Sequence, residues 1–252
     1  MKETESFQFE GDSAPTPKEG AEIKSITRTN DEDGKLSSLE IRNLLLMVLC
    51  FTCVATSITL VMGGSAVTIV SVGGSSSAAP LGVSAFFVGS SLVSLGTAPL
   101  FERLGRRGGF IVGGVLGLIG GLIGIGAIVA QSTVLVIVAC LPVGLASGVG
   151  LHLRFAAMEV VKESNRAFAT TLVLSGGCIA AFLGPESQAA TRDAFGEDLT
   201  YMGLFMMVAI LNATCAILVF FVQFPNEKEK NVPATERDEE EQDSPQGDTI
   251  SV

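Results

Sequence analysis

The stretch Ala98-Pro99-Leu100-Phe101-Glu102-Arg103-Leu104-Gly105-Arg106-Arg107 decides how the chain is read. Before it, no Asp, Glu, Lys or Arg occurs from Leu44 to Phe101, and after it none occurs from Gly108 to Leu153. A short charged segment between two long uncharged ones is most simply a tight turn between membrane spans, each of which needs ~20 apolar residues. Basic turns stay on the cytoplasmic side of a bilayer, so this one sets the orientation of everything around it. Glu102 and Arg106 stand four apart and can meet across one helical turn if the helix extends that far.

Working outward, six spans are predicted, at about 44–62, 81–100, 110–130, 133–157, 167–185 and 199–223. The small, Ser- and Gly-rich segment 63–80 is either a flexible outer loop or a ragged continuation of the first span. Gln131-Ser132 forms a short outer turn, Lys162, Glu163 and Arg166 mark an inner turn, and 186–198 forms an acidic outer loop. Residues 35–42 are either a short amphipathic helix or a frayed linker. The inner turns hold Arg103, Arg106, Arg107, Lys162 and Arg166 against Arg192 outside, so both termini are expected in the cytoplasm.

Composition agrees. The chain is 48% hydrophobic despite two polar ends, and its net charge of −10 lies wholly in those ends. Residues 1–43 carry ten acids against six bases and 226–252 nine against three, leaving seven of each between them. Both tails are expected to be disordered, flanking a 44–225 transmembrane domain. The acidic balance argues against a nucleic-acid partner. With one histidine, and cysteines scattered apart from Cys50 and Cys53, neither a metal centre nor another cofactor is expected. No nucleophile–base arrangement suggests an enzyme. Asn212-Ala213-Thr214 reads as a glycosylation acceptor, but mid-span it should go unused.

Polar and small residues within the spans are the candidates for function. Gly113, Gly117 and Gly121 fall every four residues and offer a smooth strip for close helix packing. His152 and Arg154 lie near the inner end of the fourth span on different helix faces, where Arg154 either snorkels to the interface or one of the two lines an aqueous cavity. Gly184-Pro185 removes a backbone donor, making either a helix bend or a helix stop.

The turn resembles the signature between the second and third helices of the major facilitator superfamily, Gly-x-Leu-Ala-Asp-Arg-x-Gly-Arg-Arg/Lys. Leu100, Arg103, Gly105, Arg106 and Arg107 match; Ala98, Phe101 and Glu102 replace the pattern's Gly, Ala and Asp. Glu163-x-x-Arg166-Ala167 fits the family's fourth-to-fifth helix region, and Gly184-Pro185 partly resembles the fifth-helix signature of its proton-coupled exporters. The resemblance covers 44–225. It implies an all-α polytopic fold, with six transmembrane helices as two three-helix repeats, or half of a twelve-helix major facilitator fold. It implies secondary transport of a small solute through the bilayer by alternating access, leaning towards export, with a coupling proton and a second copy or missing second half as partners. The alternative is a non-transporting half that binds another membrane protein. The resemblance also implies that the turn latches the cytoplasmic side: Glu102 and Arg106 would engage an acid at the inner end of helix four, Glu159 or else Glu163.

Overall fold

The computed structural model describes residues 36–192, 195–196 and 199–223. Six α-helices follow in order: α1 (Ser38–Ser71), α2 (Ala79–Val129), α3 (Thr133–Gly150), α4 (Leu153–Ala157), α5 (Arg166–Thr191) and α6 (Met202–Phe221), with a 3-10 turn at Glu163–Asn165. No strand occurs among the described residues. Five stretches are long and apolar enough to cross a membrane: Ser38–Ser71, Pro99–Val129, Thr133–Ala157, Glu163–Thr191 and Met202–Phe221; Ala79–Val93 is a shorter apolar helix.

The helices run further than the sequence suggests. The segment 63–80 is mostly helix, leaving only 72–78 between α1 and α2. Gly63 and Gly64 are poor helix formers in water, but within a bilayer the backbone must satisfy its own hydrogen bonds. The small residues are also used for contact, since a methyl added at Gly63 would meet Gln188 and one at Gly64 would meet Leu204. At the other end, residues from Ser38 onward form the first turns of α1 rather than a separate surface helix. Ser37 N–H donates to Glu40 Oε2 at 2.7 Å across that first turn.

Pro185 does not stop its helix, contrary to one of the two readings. It sits inside α5, which continues to Thr191, so Glu186 is helical and the outer loop is shorter than expected. Pro185 is exposed, while Gly184 beside it is buried against Thr59 of α1.

Helix α2 is two arms joined end to end. Gly105, at φ 68° and ψ 169°, breaks it into arms 79–104 and 106–129. Helix α3 packs along both arms, α1 against α5 and α6, and the second arm against α6. The glycine strip of the second arm is divided between two neighbours. Gly117 and Gly121 face Asn212 and Ala209 of α6, whereas Gly113 faces Val149 of α3. A four-residue step advances about 40° around a helix, so the strip drifts from one partner to the next.

The core forms two clusters stacked along the helix axes. The inner one includes Met47, Val54, Leu153 and Cys215; the outer one includes Leu60, Ile128, Phe205 and Val208. Between them in sequence on both helices lie Ser57 and Asn212, and Asn212 Nδ2 donates to Ser57 Oγ at 3.0 Å. Asn212 is 4% exposed, buried between helices. Thr52, Thr56, Thr68 and Ser147 return their hydroxyls to the carbonyl four residues back, the usual satisfaction of a hydroxyl away from water.

Candidate functional site: the inner end of the bundle

The break at Gly105 turns the second arm so that Arg106 points to the end of α4. Arg106 Nη2 lies 2.5 Å from Glu159 Oε1, with the two side chains 28% and 30% exposed. Exposed ion pairs contribute about 0–1 kcal/mol; partial burial screens this one less. Glu163, the other acid considered for this contact, instead pairs with Arg166 at 2.9 Å in the exposed 3-10 turn.

Glu102 does not meet Arg106 along the helix. The condition for that pairing was a continuous helix, and Gly105 interrupts it. Glu102 and Arg103 are exposed and without an ion pair among the described residues. Arg103 instead borders an open apolar hollow of about 410 Å³ with Gly96, Pro99, Leu100 and Leu104. Arg107 donates to the carbonyl of Phe220 and stacks on its ring at 4.4 Å, tying the turn to the end of α6.

Phe101, where the signature pattern has Ala, joins the turn to α3 and α4 by aromatic contact. Its ring lies 6.0 Å from the Arg106 guanidinium, 5.2 Å from Phe110 and 6.0 Å from His152. It also fills the space a side chain at Gly109 would take. His152 Nδ1 is 2.9 Å from the Gly148 carbonyl, to which it donates. Nothing in residue spacing announces these ring contacts.

His152 and Arg154 are not brought together. Arg154 lies over the Phe155 ring at 4.8 Å, and its Nε is buried without a hydrogen-bond partner. The neighbouring ends of the chain are pinned close by. Lys162 N–H donates to Glu40 Oε1 at 3.2 Å, and Asn43 Nδ2 donates to the Gln223 carbonyl at 3.0 Å. The opposite end of the bundle has a hollow of about 280 Å³ between α1 and the start of α6, bordered by Ser71, Gln131, Arg192, Thr200 and Tyr201.

Five long apolar stretches, several buried hydroxyls returned to carbonyls of their own helices and a charged turn define an integral, multi-pass helical membrane protein. The sequence matches the profile of the Major Facilitator Superfamily over residues 45–247, and the chain belongs to that family. It is 30% identical over 145 residues to the riboflavin transporter RfnT of Brucella anthropi, covering 58% of this chain and 36% of that protein. It is 31% identical over 155 residues to YddS of Bacillus subtilis strain 168, named as an uncharacterised transporter of the same type, covering 58% of this chain and 35% of that protein. The chain thus spans about a third of the length of the curated relatives it matches.

Proposed function

We propose that the chain is one six-helix wall of a secondary transporter that moves a small solute by alternating access, with the inner turn as its cytoplasmic latch. The observation that carries this reading is the Arg106–Glu159 ion pair, which reaches from the break in α2 to the end of α4. A contact between two helix ends is easily made and broken when those helices rock, and close glycine contacts such as Gly121 on Ala209 leave backbones smooth enough to slide. The named relative makes riboflavin the first solute to try. The basic residues of the turns at 103–107 and 162–166 support both termini in the cytoplasm. Export is the direction favoured by Gly184-Pro185, with Pro185 as a hinge near the outer end of α5. The family consists of transporters, which supports transport over catalysis. A coupling proton and a covering second wall, from a second copy or from a missing half, complete the proposal. The alternative, a half that binds another membrane protein without transporting, shares the fold and differs in function.

The latch is tested by the reactivity of a cysteine at Ser147, in an otherwise cysteine-free chain, towards an impermeant maleimide. Ser147 is 2% exposed, so labelling reports opening. Arg106→Gln and Glu159→Gln should each raise the labelling rate from the cytoplasmic side several-fold, while Glu102→Gln, outside the ion pair, should leave it unchanged. Equal rates in all four proteins rule out the latch. A rise seen only from the extracellular side reverses the proposed orientation.

A further inference from the structure

We propose that Arg154 recognises an oxyanion, a carboxylate or phosphate group, on the transported solute. This rests on the transport reading above but not on riboflavin, which carries neither group: the solute it implies is anionic. Arg154 is half-buried in α4, part of the Thr133–Ala157 membrane stretch, and carries a charge it cannot lose. Among the described residues the ion pairs are Arg106 with Glu159 and Arg166 with Glu163; neither reaches Arg154. Its neighbour is the ring of Phe155, 4.8 Å away, which offers no lone pair, and its Nε–H is buried with no acceptor at all. Arg103 also lacks an ion pair, but it is exposed at the turn, where water serves it. Arg154 has a buried donor that calls for an acceptor.

Arg154 sits on a face that the neighbouring helices leave partly open. Ser147, Leu151, Arg154 and Met158 recur at three- and four-residue intervals and so share one face. Backbone φ/ψ stays helical through Leu151 and His152, so that face is continuous from α3 into α4. Gly150 packs on Val54 of α1, and Gly144 and Gly148 pack on Phe86 and Ser90 of the first arm of α2. The face carrying Arg154 falls between those two directions, and its inner members Leu151, Arg154 and Met158 are all half-exposed. A guanidinium presents parallel N–H groups that match the paired oxygens of a carboxylate or phosphate, a fit that a single spherical halide ion does not reproduce. His152 is excluded from this role, because its Nδ1 is committed to the Gly148 carbonyl and its ring to Phe101 and Phe155.

A lipid phosphate shares this chemistry, so the test separates the two sources. The full chain in phosphatidylcholine nanodiscs is titrated with benzoate, and separately with inorganic phosphate, at ionic strength held constant with sodium chloride. The readout is the unfolding temperature. At least one of the two anions should raise it by about 3 °C at saturation. Arg154→Gln should abolish the rise, Arg154→Lys should keep less than half of it, and Arg166→Gln should keep all of it. If Arg154→Gln does not fold, the Arg154→Lys comparison decides alone. An equal rise in wild type and the Arg154 variants, or no rise with either anion, overturns the proposal. So does a wild type whose response to soluble anion vanishes in nanodiscs containing phosphatidylglycerol, which assigns the site to lipid. Binding needs no flux, so the outcomes separate: an Arg154-dependent anion shift with unchanged Ser147 access overturns the latch and leaves this site standing, and altered Ser147 access with no Arg154-dependent shift overturns this site alone.

Discussion

Gly105 holds φ 68° and ψ 169°, a region in which only glycine is free of strain. No atom lies within 4 Å of a methyl group added there, so the effect of a side chain is confined to the backbone. Gly105→Ala should therefore destabilise by about 1–3 kcal/mol, seen as a drop of about 2–10 °C in the unfolding temperature in detergent. Gly126 supplies the control: it too has open space around its missing Cβ but no positive φ, and Gly126→Ala should be neutral or slightly stabilising. Equal effects at the two positions would remove the backbone explanation. At this scale the sequence was informative about charge and silent about rings. An acid from the end of the fourth span as partner of Arg106 follows from the family resemblance, which left Glu159 and Glu163 both open; the contact is made by Glu159. A turn within 98–107 is legible from its charges; that the helix continues up to Gly105 and breaks there alone, so that Glu102 leaves the pairing, is not. The contact of Phe101 with His152 joins residues fifty-one positions apart, 101 and 152, and leaves no periodic trace.

Helices in this chain are set by the bilayer more than by propensity. The glycine pair 63–64 and Pro185 both look like interruptions, and both lie inside helices. The apolar runs predict six spans, whereas among the described residues five stretches are long and apolar enough to cross and Ala79–Val93 is shorter. Helix ends also depend on tertiary contacts, Gly64 under Leu204 and Gly184 against Thr59. The same holds for the glycine strip, whose spacing announces close packing without saying against which helix. Gly121 faces the backbone of α6, and a methyl there would come within 2.7 Å of Ala209 N. Backbone cannot move aside as a side chain can, so Gly121→Ala should cost about 1–3 kcal/mol through forced separation of the second arm of α2 from α6. Thermal unfolding of Gly121→Ala beside Gly126→Ala measures it. An effect no larger than that at Gly126 would mean the helices do not rely on this approach.

Among the described residues, one helix is covered least by the others. Helix α5 lies in the least apolar and least buried of the five long membrane stretches. Its outward face mixes Phe168, Leu174, Ile179 and Phe182 with Thr171, Ser175 and Cys178, all exposed. Thr171 and Ser175 return their hydroxyls to Ala167 and Leu172 of their own helix, so lipid is tolerated, but such small residues also let a neighbouring helix approach closely, which favours a second protein wall. Helix α6 presents Ile210, Ile217, Phe220 and Phe221 instead, a face consistent with lipid. The central claim, one wall of a two-walled transporter, is tested most directly by cross-linking in native membranes. A cysteine is placed at Phe182, 78% exposed on α5, or at Ile217, 61% exposed on α6, in a cysteine-free chain, and a short bis-maleimide is added. The expected result at Phe182 is a product of at least twice the 26.1 kDa of the chain, either a dimer or a complex with a second wall. At Ile217 the chain should stay single. A chain that remains monomeric at Phe182 while still moving solute would contradict the account.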